Sequence, residues 1–404
     1  MNRNRFLIGA LGGLAVVGSA DHLLSRALAQ TALGTNDERV LIVVNFQGGN
    51  DGLNTVVPYG MPSYYKYRPT LGIAPSDVLR IDSTVGLNPV LKPLKDMYDK
   101  GQVAIVQGVG YPEPDLSHFR STEIWQTAAP TKYLSTGWLG RYLDNANLPP
   151  ENLFNAVALA DVLPEVLVSE KIDVPAIAQL SGYGLQSDKR GGVGRDEFHA
   201  IVKDTDVPFR SPYLAHVAEI EDHAQRGSEE LPQLVAGYQA QATYPTTAIG
   251  RSFALAAQIV GTKLGTRVLY IQHGSFDTHT TQKGTQDRLL ADFSDAVGAF
   301  YTDLAAHGND KRVLTVTFSE FGRRVGENAS RGTDHGTAAP MFAIGGGLKG
   351  GLYGAHPSLD DLDNGNLKFS TDFRSVYATL LERWLQRPSA PIVGGTYAPV
   401  PLLA

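Results

Sequence analysis

The sequence predicts an α/β fold with a mostly parallel central sheet between helix layers, and three observations carry that expectation. Residues 40–46, VLIVVNF, form an unbroken apolar run before Gly48 and Gly49, as a strand covered on both faces requires. Ile249, Phe253, Ala256, Val260 and Leu264 form one helical stripe, and Leu289, Phe293, Ala296, Phe300 and Leu304 form another. Each stripe leads into a short apolar strand, 267–272 and 313–318, so the second helix and its flanking strands read as a βαβ unit. Finally, polar clusters stand at the ends of these strands. In open α/β sheets that carboxyl edge is where ligands bind.

Taken in order, the chain opens on a basic segment, MNRNR, then an apolar run over 6–20 and an A-x-A pattern at Ala27, Leu28 and Ala29. This is the pattern of an export signal, residues 1–29, and it predicts a periplasmic or secreted protein with no membrane span after cleavage. Arg3 and Arg5 resemble a twin-arginine signal, although Asn4 separates them. The segment carries three arginines and one aspartate, so its removal takes the formal charge from −6 to −8. No basic run or basic aromatic stripe is present, which argues against nucleic acid as a partner. The absence of cysteine excludes disulfides, thiolate metal sites and a cysteine nucleophile.

From residue 30 onward the chain reads as a single α/β domain. The first strand ends in Gln47-Gly48-Gly49-Asn50-Asp51, where Asp51 either ligates an ion or caps its own turn. A helix over 89–100 and a strand over 103–106 come next. The segment 111–120 places Asp115 or Ser117 at the N-terminus of the helix that carries Trp125. A serine there is either a cap or a nucleophile facing the positive helix end. Strands are expected over 153–160 and 175–180. Composition changes at 181–241 to a Gly-rich, then acidic helical stretch, read as an insertion or lid in which His216, Glu219 and His223 mark a solvated face. A strand over 341–344 and a helix over 373–385, capped by Asp372, close the fold.

The collected strand ends supply Asp51, Ser117, His273, Asp277, His279, Glu320, Asp334 and His335. Carboxylates mixed with imidazoles, without thiolates, suit zinc, manganese or magnesium. Such an ion could polarise a phosphoryl or sulfuryl oxygen, with Arg120, Arg323 or Arg324 holding the anion.

The motifs GGNDGLNTVVP, SHF, STGWLGRYLD, FDTH, SEFGRR, GTDHGTAAPMF and DFRSVYATLLERW occur in that order. In them the chain resembles the bacterial exported family catalogued as domain of unknown function 1501, itself similar to a distant branch of the alkaline phosphatase and sulfatase superfamily. The resemblance implies a sheet of that superfamily's kind and an exported, metal-dependent hydrolase of phosphate or sulfate esters. It implies metal ligands at Asp51, Asp277, His279, Glu320, Asp334 and His335 and a nucleophile at Ser117; with His118 beside it and Arg323 to hold the anion, both read from the residues themselves, Ser117 makes up the expected catalytic set. The partner it implies is an anionic small-molecule or polymer ester. Phe321 stands where the superfamily has an imidazole after its carboxylate, and that departure favours the alternative of a non-catalytic extracytoplasmic binding or assembly protein.

Overall fold

The computed structural model describes residues 39–149, 151–180, 223 and 226–403. The expected export signal and most of the expected insertion lie outside the described residues. Of the three residues noted in that insertion only His223 is described, and its Nδ1 faces Asp173 at 2.9 Å.

An eight-stranded sheet organises the chain. Its strands are β1 (Val40–Gln47), β2 (Val103–Gly110), β3 (Ala156–Leu159), β4 (Val268–Gly274), β5 (Val313–Phe318), β6 (Ala339–Gly345), β7 (Gly351–Tyr353) and β8 (Thr371–Asp372). The spatial order is β7-β2-β6-β5-β1-β4-β3, with β8 also beside β2. All of these pairings are parallel except the two made by β6, which runs antiparallel to both β2 and β5. The sheet is therefore mostly parallel, as the apolar runs predict.

The reason β1 is apolar throughout is that both its faces are covered. Val40, Ile42, Val44 and Phe46 point into one core and Leu41 and Val43 into the other, the period-two alternation of a strand. On the first face pack α1 (Lys92–Asp99), α4 (Ala248–Thr262) and α5 (Gln282–Ala306), through Leu94, Phe253, Ile259, Phe293 and Phe300. On the second pack α2 (His118–Thr127), α3 (Trp138–Asn145) and α6 (Phe373–Thr379), through Trp125, Trp138, Tyr142 and Tyr377. Burying each of these large side chains stabilises the fold by roughly 1.5–3 kcal/mol or more.

The βαβ reading of β4, α5 and β5 holds for direction, with β1 lying between the two strands. Two expectations differ. Residues 175–180 form no named strand, only an isolated bridge between Ala158 and Ala176, because the segment is exposed or half-buried along most of its length. The last helix is regular only over Phe373–Thr379 and widens into a π-turn over Leu380–Trp384. Among the described residues no helix is long and apolar enough to cross a membrane.

Candidate metal centre

Parallel strands put the ends of β1, β4 and β5 on one edge. The antiparallel β6 starts at that same edge, so the whole loop 319–338 remains there. At the end of β1, Gly48 and Gly49 adopt φ of 109° and 82°, a turn that only glycine makes without strain. The Gly48 N–H donates to Glu320 Oε1 at 2.8 Å. Ser319 Oγ donates to the Phe46 carbonyl at 2.6 Å and accepts from the Asn50 N–H at 2.9 Å, stitching the β1 and β5 ends together. From the far side of the sheet, the start of α2 brings in Ser117 and His118.

Three imidazoles meet one carboxylate at this edge. His118 Nε2 lies 3.4 Å from Asp277 Oδ2, while His279 Nε2 and His335 Nε2 lie 3.0 and 3.2 Å from Asp277 Oδ1. His279 Nε2 and His335 Nε2 are 3.1 Å apart. The ligand atoms of His118, Asp277 and His335 all lie within 4.8 Å of one another.

The opposite side of each ring fixes its tautomer. His335 Nδ1 is 2.8 Å from the Leu116 carbonyl, which can only accept, so Nδ1 carries the proton. His118 Nδ1 faces Glu320 Oε1 at 3.0 Å, and His279 Nδ1 faces Asp334 Oδ1 at 3.3 Å. In the neutral rings all three Nε2 atoms then carry lone pairs aimed at a carboxylate that also only accepts. Such a convergence of acceptors calls for a cation among them. Outward Nδ1–H bonds to carboxylate or carbonyl oxygen, with Nε2 turned inward, are the arrangement in which histidines ligate metals. Donors about 2.0–2.2 Å from a tetrahedral ion are separated by roughly 3.3–3.6 Å, and the separations here, 3.0–3.4 Å, are a few tenths of an ångström tighter than or within that range.

Burial pushes the Asp277 carboxyl up, but the hydrogen bond from Arg323 and the neighbouring His335 and His279 rings outweigh it and hold it down at about 2. Asp334 is lowered by a hydrogen bond from Asn328, opposed by burial and helped by His279.

Other expected residues stand in different places. Asp51 is buried away from the three rings. Its Oδ2 pairs with Arg68 Nη1 at 2.5 Å and accepts from Gln282 Nε2, and its Oδ1 accepts from the Leu53 N–H, so both oxygens are already engaged. Glu320 and Asp334 meet the cluster from behind His118 and His279. Arg323 is 2% exposed, which puts it out of reach of a substrate anion. Its donors reach the carbonyls of Gly48, Gly49, Phe276 and Thr333, and Nη2 meets Asp277 Oδ1 at 2.8 Å. Arg120 turns instead to Glu123 and to the carbonyls of Ala129, Pro130 and Lys132. Arg324 is exposed, with Nη1 on the Asn364 carbonyl. Ser117 is exposed at the N-cap of α2 but its side chain makes no cap bond; Asp115 Oδ1 takes the Ser117 N–H instead. His273 is buried between Phe46 and Phe276, with Nε2 on the Leu289 carbonyl, and burial lowers its pKa. Phe321 is a wall of the site, its ring 4.9 Å from His118 and 4.4 Å from His335 between centroids.

The sequence model described as "Protein of unknown function (DUF1501)" matches residues 103–384. The chain belongs to this family. Similar solved structures include the C-terminal periplasmic domain of EcEptC from Escherichia coli in complex with zinc, at 10% identity and TM-score 0.34, covering 77% of this chain and 74% of that one. A protein of the alkaline phosphatase superfamily from Vibrio parahaemolyticus is similar at 10% identity and TM-score 0.38, over 92% and 76% of the two chains. The PsFucS1 sulfatase from Pseudoalteromonas sp. is similar at 10% identity and TM-score 0.36, over 94% and 73%. No curated protein matches the chain.

Within this DUF1501 chain several site-building groups escaped the sequence reading. Asn328 and the Leu116 carbonyl brace the centre through Asp334 and His335, and Arg68 and Gln282 hold Asp51. Arg68 directly follows the tyrosine-rich stretch 59–67, of which Tyr64 is buried, and a cation buried there requires an anion nearby.

Proposed function

We propose that this chain is an exported, metal-dependent hydrolase of phosphate or sulfate esters. The observation that supports it is the convergence of three imidazole Nε2 atoms on Asp277, each ring held from behind by a fixed acceptor. His118, His279, His335 and Asp277 would hold the ion; zinc, manganese and magnesium are the candidates. Bound there, it would supply positive charge to an ester oxygen and lower the pKa of a nucleophile.

The chain's own residues do the rest. Arg323 locks Asp277 in place through Nη2, and Glu320 and Asp334 hold the Nδ1 protons of His118 and His279. Phe321 packs against two of the rings. Ser117 presents an exposed hydroxyl on the backbone between Leu116 and His118, both tied into the cluster. It lies at the N-terminal end of α2, where the first free N–H groups favour an anion or an alkoxide. Ser117 or a water is the nucleophile in this reading. A non-catalytic binding protein with one ion is the second reading, favoured by the complete engagement of Arg323 within the protein.

Metal analysis of the purified chain, followed by aryl phosphate and sulfate esters with and without chelator, tests the proposal. Bound divalent metal with chelator-sensitive turnover is expected. Bound metal without turnover of any ester would favour the second reading, and absence of metal would remove both.

A further inference from the structure

The balance of charge around the rings bears on which esters the centre would accept. Asp277, Glu320 and Asp334 bring three formal negative charges to the cluster. Among the described residues Arg323 is the only lysine or arginine ion-paired to any of them. Arg68 does not contribute, because Asp51 neutralises it in a pair with 0% and 1% side-chain exposure. Three carboxylates against one guanidinium leave two negative charges, which a single divalent ion cancels.

Room for a second ion is limited by what the carboxylates already do. Asp51 is charge-paired with Arg68 and engaged by Gln282 and the Leu53 N–H, and Glu320 Oε1 is shared by the Gly48 N–H and His118 Nδ1. Arg323 Nη2 sits 2.8 Å from Asp277 Oδ1, so this carboxylate already bridges from a fixed cation toward the three Nε2 atoms. Glu320 Oε2 is buried without a hydrogen-bond partner, which disfavours any extra anion nearby while leaving that oxygen open to a cation.

Resting on the hydrolase reading above, we infer that the centre takes one divalent cation and prefers esters with a single negative charge, sulfate monoesters or phosphodiesters, over dianionic phosphate monoesters. A monoanion meets a neutral centre, whereas a dianion brings a second charge, and among the described residues the one unburied basic side chain acting on the cluster's carboxylates is Arg324, beside Asp334 at the rim. The expected preference is at least about tenfold, because the second charge of a dianion stays unpaired in a partly desolvated site, and an unpaired charge there costs more than the free energy of a tenfold change.

The test uses the full chain at about pH 8, where a phosphate monoester is dianionic. Metal content is measured by mass spectrometry. Binding and turnover are compared for para-nitrophenyl sulfate, bis(para-nitrophenyl) phosphate and para-nitrophenyl phosphate, with calorimetry giving the affinities should turnover be absent. One ion per chain and tighter binding of either monoanion are expected, and the first two probes tell sulfate from phosphodiester. Two ions per chain, or equal or better binding of para-nitrophenyl phosphate, overturns the inference and leaves the hydrolase reading standing. No ion overturns both. Glu320→Gln and Asp334→Asn each remove one negative charge and should move the affinity ratio toward the dianion. A ratio unchanged in both metal-loaded variants also overturns the inference.

Discussion

Asp51 and His335 show how the same residue types take opposite roles according to what faces them. Asp51 follows the first strand, where a ligand is expected, yet a buried arginine reaches it first. Removing one member of a buried ion pair leaves the other uncompensated and costs about 3–5 kcal/mol. Asp51→Ala should therefore lower stability by that amount while leaving metal content unchanged, as chemical denaturation and metal analysis on one preparation will show. Loss of the ion from a folded Asp51→Ala protein would return Asp51 to the ligand set. Ser117 is legible as a helix-start residue but not in role, because cap and nucleophile share the same position. Only the unbonded side chain separates them.

At the scale of elements, the turn after β1 shapes the centre without contributing a side chain to it. A Cβ on Gly48 would stand 2.5 Å from the Asp277 backbone nitrogen, and one on Gly49 would stand 2.4 Å from the Phe321 ring. Both residues also have φ values that other residues adopt only under strain. Gly48→Ala should push the Asp277 segment outward, with a cost of about 1–3 kcal/mol and at least a tenfold loss of metal affinity. Calorimetric titration with zinc checks the second effect, and unaltered affinity would mean that the turn does not set the ligand geometry. The glycine pair was visible in the sequence as a turn. Its contact with a strand end more than two hundred residues away was not, because register between distant strands is fixed by packing.

For the whole molecule, an ion bound only by the folded chain must stabilise it. At a free concentration of about one hundred times Kd the gain is about 2.7 kcal/mol. Adding zinc or manganese to the chelated protein should raise Tm by several degrees, and His335→Ala should abolish the rise while melting near the chelated parent. An equal rise in His335→Ala would place the bound ion elsewhere. This experiment reads the centre without requiring that a substrate be known.

The two-faced apolar strand, the two long helical stripes and the polar strand ends were determined by the sequence alone, because each depends on local periodicity or on the direction of a parallel strand. That Asp277, His279 and His335 belong to one edge follows from the same logic. The tertiary structure decided which of the collected groups face inward. His118 meets Asp277 because α2 starts against the loop after β5, and the three rings turn Nε2 inward because Glu320, Asp334 and the Leu116 carbonyl hold their other sides. Arg323 became a buried clamp because four carbonyls and Asp277 surround it. A residue's type fixes what it can donate or accept, but its role depends on partners brought from distant parts of the chain, and long-range packing alone supplies them.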